Sequence, residues 1–361
     1  MTFPPDTARA WVDIDLAALV ANARTISEAC GTRLLPMVKA NGYGLGAARV
    51  AGALEVLDPW GYGVATVEEG SALRTSGVLR PVLVVSPLSS DSLDSMLDYG
   101  FRPAIGDVEM LRRWLARSAG PFHLEIDTGM GRAGIRWDDE QALGEAAGAL
   151  VSAEGWEGVF THFHSADTDP ESVGIQWRRF QEVLSRFPRR PDLVHAANSA
   201  ASFHGQTYAG DLVRPGIFLY GGPAGGSAPA PKPVAALRAR VLAVRAVAAG
   251  ESVSYGAAWR PARRTTIATL GIGYADGLPR AANLADGGPR LVELRGRTVP
   301  LVGRVTMDLC MVAVEDGQVA VGDVATIFGG IVSLDQQARA AGTISYELLT
   351  ALGPRLPRRY R

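Results

Sequence analysis

The chain has little cysteine. Its two cysteines, Cys30 and Cys310, lie far apart and form no CxxC pair, so neither a disulfide framework nor a zinc site is indicated, and a reducing interior is the simplest setting. No apolar run reaches the roughly 18 residues that a membrane-spanning helix needs. The start, "MTFPPDTARAW", has no basic segment followed by an apolar stretch, so no export signal is read and the expected location is the cytoplasm. Charge of one sign is also missing: 36 basic against 37 acidic side chains give no reason to expect nucleic acid or a membrane surface as a partner. The 47% hydrophobic and 20% charged content is that of an ordinary globular protein, and 361 residues allow two domains or one barrel with an appended module.

What is present is a succession of short apolar runs. From about residue 33 to 220 come "RLLPMVKA", "WGYGVATV", "PVLVVSP", "FRPAIG", "FHLEIDTG", "GVFTHFHS", "LVHAANS" and "LVRPGIFLYG". Most are followed by a segment with helical spacing, such as "VEMLRRWLARSAG" or "IQWRRFQEVLSRFP". Such alternation reads as parallel strands buried on both faces, and about eight units predict an α/β protein with a closed (β/α)8 barrel; an open doubly wound sheet is the alternative. The Gly, Pro and Ala stretch "GGPAGGSAPAPKPV", residues 221–234, breaks the pattern. Beyond it, alternation and β-branched residues in "RTTIATLGIG", "RLVELRGRTVPLVGRV" and "GDVATIFG" predict a mostly β domain. The expected division is a barrel over 1–232 and a β domain over 233–361, with the first residues able to pair with the latter.

In a barrel of this kind chemistry sits where strands end. The run "LLPMVKANGYGLG" ends in Lys39, which can be a rim salt-bridge partner, a phosphate binder or, with its pKa lowered in an apolar site, a nucleophilic amine. Gly42, Gly44 and Gly46 permit close backbone approach to a ligand, but they miss the dinucleotide spacing GxGxxG because position 47 is Ala, and no GxxxxGK[ST] loop occurs. Arg132 in "DTGMGRAG" offers a fork of donors for a carboxylate or a phenolate oxygen, or else a rim salt bridge. Arg214 ends the eighth run, with Gly216 and Ile217 following where barrels bind phosphate through backbone N–H groups. His162 and His164 alternate in "THFHS", yet no carboxylate or third histidine stands at a ligand spacing, so no metal is expected. Taken alone, Tyr255, Tyr274, Met307 and Asp308 in the β domain carry little functional weight.

Taken together, "VKANGYGLG", "DTGMGRAGI", "THFHSAD", "HAANSAA", "VRPGIFLYG", "SVSYGA", "GIGYADG", "GRVTMD" and "ISYELL" resemble the alanine racemase family, whose members have a barrel binding pyridoxal 5'-phosphate and a C-terminal β domain. The resemblance spans nearly the whole chain. It implies racemisation of L- and D-alanine for peptidoglycan by a homodimer with shared active sites. Lys39 is then the covalent anchor of the cofactor and the base toward D-alanine, and Tyr255 of the other subunit the base toward L-alanine. Tyr43, Ser199, Gly216, Ile217 and Tyr346 match phosphate-binding positions, Arg214 the residue at the pyridine nitrogen, and His162 its link to the tyrosine. Arg132 matches the arginine facing the cofactor's phenolic oxygen and the substrate carboxylate, and Tyr274, Met307 and Asp308 match the substrate entrance.

Three positions depart from the family. Leu45 stands where histidine is common and Thr306 where cysteine is common, neither touching the inferred proton transfers. Glu125 stands where many members carry a lysine carbamylated into an anion, which suggests that its carboxylate orients Arg132 directly; the other reading is that Glu125 points elsewhere. Rival functions are a racemase of serine or lysine on the same scaffold, a non-catalytic cofactor-binding barrel, against which Tyr255 and Tyr346 argue, and a decarboxylase of the same fold type.

Overall fold

The computed structural model describes residues 7–117, 120–280, 290–315 and 317–361. It begins with β1 (Ala10–Ile14) and the helix Leu16–Cys30. Asp15 caps that helix by accepting from the Ala18 amide at 2.8 Å, and Gly31 ends it in the left-handed conformation. The parallel strands follow: β2 (Arg33–Leu34), β3 (Tyr62–Val64), β4 (Val82–Val84), β5 (Arg102–Ile105) and β6 (Phe122–Asp127), with the two-residue β7 (Ile135–Arg136) paired to β6. Then come β8 (Trp156–Phe160), β9 (Leu193–His195) and β10 (Leu212–Val213). β3, β4, β5, β6, β8 and β9 pair in that order; Met37 bridges to Gly63, Asn198 bridges to Arg214, and β10 pairs with β2. The sheet therefore closes on itself as the eight-stranded barrel that the apolar runs predict, not as an open sheet.

The barrel interior is apolar in one layer and polar in the next. Leu35, Leu83, Leu193 and Leu212 pack together, while His123 and Glu125 on β6, His195 on β9 and Arg214 just after β10 are buried polar residues. Buried polar groups survive only when they are hydrogen-bonded or serve chemistry, so this column marks the functional end of the fold.

The second half is antiparallel: β11 (Ala235–Val247), β12 (Thr265–Leu270), β13 (Leu291–Leu294), β14 (Arg297–Val302), β15 (Cys310–Val314) and β16 (Val324–Phe328), followed by β17 (Arg358–Tyr360). The long β11 pairs with β16 along its first part and with β12 along its second, with a register shift between Val241 and Ala243. The circuit β11, β12, β15, β14, β13, β16 closes. β1 joins β11 antiparallel and β17 joins β1 parallel, so the first strand of the chain lies in the sheet of the last domain. Residues 221–234 carry no regular element and are tied down by Asn22, whose side chain bonds both the amide and the carbonyl of Lys232.

The domains meet on the Lys39 loop. Arg358 donates Nε and Nη2 to the Gly44 carbonyl at 3.1 and 3.0 Å, and the Tyr360 hydroxyl donates to the Leu45 carbonyl at 2.8 Å. Gly44 and Gly46 have φ of +81° and +96°, and a β-carbon on either would overlap the Leu349 carbonyl oxygen or the Tyr360 hydroxyl. These glycines make room for the β domain, not for a ligand as the sequence suggested. Gly44→Ala is accordingly expected to destabilise the fold by about 2 kcal/mol or more. Gly52→Ala, in the helix Ala47–Leu54 where a β-carbon meets nothing within 4 Å, is expected to be neutral or stabilising by about 0.5–1 kcal/mol. Thermal melts of the two variants check this, and equal melting points would contradict it.

Candidate active site

Where the barrel strands end, a cavity of ≈ 400 Å³ opens, lined among others by Lys39, Glu125, Arg132, His162, Ser199 and Arg214. Lys39 starts a single turn, Lys39–Tyr43, in which Ala40, Asn41, Gly42 and Tyr43 all have φ between 51° and 63°. A left-handed non-glycine residue costs roughly 1–2 kcal/mol, so three of them within four residues must be held from outside. Glu69 does part of this. One carboxylate oxygen accepts from the Ala40 amide at 2.6 Å and the other from the Ala65 amide at 2.7 Å. Asn41 closes the turn, with its side chain accepting from Ala47 and its carbonyl from Gly46.

Electrostatics follow from the crowding. Burial, then Arg132, and Arg214 beyond the opposing pull of Glu69, hold the Lys39 ammonium below its ordinary range. Arg214 is 4% exposed. It donates Nη1 to His195 Nδ1 at 2.8 Å and Nη2 to the Thr161 and Ala196 carbonyls at 2.7 and 3.0 Å, with a longer contact to His162 Nδ1 at 3.3 Å. Burial lowers its pKa only to about 10, so it stays a cation near neutrality. Because a guanidinium only donates, His162 carries its proton on Nε2; burial, Arg214, Arg132 and Lys39 push its pKa down to about 3 and keep it neutral. Its sequence neighbour on the alternating pair, His164, is exposed and bonds Ser165 instead.

A cradle of neutral donors lies beside these charges. The Ser199 hydroxyl accepts from the Gly216 amide at 2.8 Å and is left with its own proton to give. The Ile217 amide is buried and has no acceptor among the described residues. Tyr43 stacks on Tyr220 with ring centres 4.4 Å apart, and its hydroxyl occupies the space a side chain at Gly216 would need. Tyr346 borders the same cavity from the helix Ser345–Thr350.

The family profile described as alanine racemase, N-terminal domain, matches residues 14–223, and that described as alanine racemase, C-terminal domain, matches residues 234–360. The chain belongs to the alanine racemase family. It is 39% identical to the alanine racemase of Deinococcus deserti over 97% of this chain and 98% of that one, and 40% identical to that of Symbiobacterium thermophilum over 97% and 96%. Among solved structures, the alanine racemase of Bartonella henselae with covalently bound pyridoxal phosphate superposes with a TM-score of 0.90 at 30% identity, covering 98% of this chain and 100% of that one. The alanine racemase of the D-cycloserine producer Streptomyces lavendulae superposes at 0.91, also at 30% identity, over 100% and 98%.

For a member of this family, the single chain leaves several expected site residues apart from Lys39. Tyr255 is 69% exposed, Met307 53% and Tyr274 41%, and none lines the chain's own cavity. Tyr274 and Met307 are held side by side on the surface, because the Tyr274 amide donates to the Thr306 carbonyl and the Ala275 amide to that of Met307, both at 3.0 Å. The Asp308 carboxylate is engaged within the chain by Arg355 at 2.9 Å and Arg9 at 3.5 Å. Arg132 is exposed, on a loop shaped by Asp127, which accepts from the Gly129 and Gly131 amides. That loop, "GMGRAG", does match GxGxxG, but it leads into β7 and not into a helix, so it is no dinucleotide site.

Sequence reasoning missed Glu69, His123 and His195. It also passed over a compositional signal: only two of the 36 basic residues are lysines, Lys39 and Lys232, so a lysine kept at a strand end stands out. Glu125 is 5% exposed, and its carboxylate borders the cavity with no hydrogen-bond partner among the described residues. Burial raises its pKa from 4.5 to about 7 against the pull of Arg132 and Arg214. A folded pKa above the unfolded one means stability falls as pH rises through the window from about 4.5 to about 7. Glu125→Gln is therefore expected to leave the melting point of the cofactor-free protein unchanged at pH 5 and raise it at pH 8; the same difference at both pH values would contradict this.

Proposed function

We propose that the chain is a pyridoxal-phosphate-dependent alanine racemase, a homodimer whose active sites are each built from two copies, making D-alanine for peptidoglycan in a bacterial cytoplasm. The observation that carries this reading is a lysine sharing a cavity with two arginines at the strand ends of a barrel of this family. No helix among the described residues is long and apolar enough to cross a membrane, which agrees with the location. The cradle fits the cofactor's phosphate: Ser199, Tyr43, Tyr346 and the free Ile217 amide are neutral donors, and Gly216 has no side chain to displace the Tyr43 hydroxyl. Bound there, pyridoxal phosphate supplies an electron sink that makes the α-hydrogen of an attached amino acid removable.

The chain's own residues do the rest. Lys39 would hold the cofactor, and its amine would be the base on one face; burial and the nearby guanidinium groups disfavour its ammonium form, which suits an amine that has to accept a proton. Inverting a carbon centre needs a second base on the opposite face. Tyr255 of a second copy fills that role, its exposure on the β domain supporting the assignment. Lys39 serves D-alanine and Tyr255 serves L-alanine. A phenol titrates at about 10, so the phenolate needs a donor, and His162, fixed with its proton on Nε2 by Arg214, supplies one. Arg214 would offer the cofactor's ring nitrogen a donor that does not surrender its proton. Arg132 takes the substrate carboxylate and the phenolic oxygen, with Glu125 as its counter-charge. Tyr274, Met307 and Asp308 of the second copy narrow the entrance to suit a methyl side chain.

Protein loaded with pyridoxal phosphate is expected to interconvert L- and D-alanine faster than it racemises L-serine or L-lysine; another amino acid as the better substrate would contradict the reading. Sharing of sites is tested by mixing Lys39→Ala chains with Tyr255→Phe chains, each inactive alone. Subunit exchange is expected to restore racemisation, because every mixed dimer holds one complete site. Mixed dimers that stay inactive would rule sharing out.

A further inference from the structure

Behind Arg214 the hydrogen bonds run in one direction. Arg214 can only donate, so its 2.8 Å contact makes His195 Nδ1 an acceptor and puts that ring's proton on Nε2. His195 Nε2 lies 2.8 Å from His123 Nδ1, which must then accept, leaving the His123 proton on Nε2, 3.2 Å from Glu157 Oε2. Glu157 is paired in turn with Arg102 Nε at 3.2 Å. Arg102 opens β5 and Glu157 stands near the start of β8, so the chain runs from the cofactor end of the barrel to its opposite mouth.

The fold is built around this column. Both imidazoles are fully buried, and burial keeps both neutral, with Arg214 adding to the effect at His195. Phe160 stacks on His195 with ring centres 5.0 Å apart, and Trp60 lies against His123 at 5.4 Å. Gly158 faces His123 in register, and a β-carbon there would come within 2.6 Å of His123 Nδ1. Neither histidine borders the cavity. A buried polar column of this kind contributes less to stability than apolar packing of the same volume, such as the leucine layer of this same barrel.

We propose that His195, His123 and Glu157 are positioning residues for Arg214, a directed hydrogen-bond chain anchored on a carboxylate at the far mouth of the barrel that fixes how Arg214 presents its remaining donors to the cofactor. This rests on the reading above that Arg214 faces the cofactor ring. The direction is what matters. If His123 loses its acceptor it can take the Nδ1–H form; His195 must then reverse as well, and its Nδ1–H would oppose the Nη1–H of Arg214, forcing the guanidinium aside.

Two measurements test this. In the holoenzyme labelled with ¹⁵N-histidine, the ring signals of His123 and His195, assigned with His123→Gln and His195→Gln, are expected to show the neutral Nε2–H form. The groups that face them, Arg214 and Phe160 on one side and Trp60, Arg102 and Glu157 on the other, are expected to keep them so at neutral pH. An Nδ1–H or protonated ring at either position would overturn the proposal. In kinetics, His123→Leu is expected to lower kcat roughly 10- to 100-fold with a smaller change in KM and a shifted visible absorbance band of the bound cofactor, while His123→Gln, which keeps a donor and an acceptor, recovers most of both. Wild-type kcat and spectrum in folded His123→Leu would overturn it. Should His123→Leu not fold, Glu157→Leu cuts the same chain at its half-buried end and is judged by the same outcomes. Failure of the wild-type protein to take up pyridoxal phosphate would instead defeat the proposed function, with the tautomer measurement on the cofactor-free protein still deciding the direction of the chain.

Discussion

Like-charge crowding around one cavity is the constraint on which the site depends. Lys39, half-buried, Arg132, exposed at the rim, and Arg214, buried, border the same space, and screening by water is weakest at the buried end. The group that yields is the one that can: a lysine loses its proton more readily than a guanidinium, so Lys39 is the cation whose charged form is disfavoured. Arg214 remains charged because two carbonyls and two imidazoles accept from it. His162, in the same field, is driven neutral. The surplus of positive charge left over suits a ligand that brings a phosphate and a carboxylate, and it explains why the phosphate cradle itself can be made of hydroxyls and amides.

The second dependence is mechanical. The lysine sits on a turn of left-handed backbone that local preference opposes, and the turn is kept by Glu69 from the barrel and by Arg358 and Tyr360 from the β domain. Strain at the anchor is thus balanced by contacts from both halves of the chain. β1 reinforces this by crossing into the β domain before the barrel begins, so the two halves are tied by a strand as well as by side chains.

Much of this was legible in the sequence. Eight apolar runs with helical spacers specify a closed parallel barrel because strands buried on both faces need no alternation, and Lys39, Arg132 and Arg214 each end such a run or open the loop after it. The rest depended on closure. "FHLEID" puts His123 and Glu125 on one face of β6 by its period of two, but only the barrel decides that this face points inward and that His195, on a strand beyond β8, lies within hydrogen-bond reach. The glycines after Lys39 looked like space for a ligand because a sequence does not reveal that Leu349 and Tyr360, more than 300 residues later, fill it. Tyr255, Tyr274 and Met307 were found by motif alone; within one chain, geometry leaves them on the surface.

The central claim is that Lys39 anchors the cofactor, and the scarcity of lysine makes it directly testable. Reducing the loaded protein with borohydride fixes pyridoxyl phosphate to the lysine that holds it, and peptide mass spectrometry then has only Lys39 and Lys232 to choose between. The expected result is a single modification on Lys39, with the exposed Lys232 unmodified. Label on Lys232, label shared between the two, or no label at all would contradict the account.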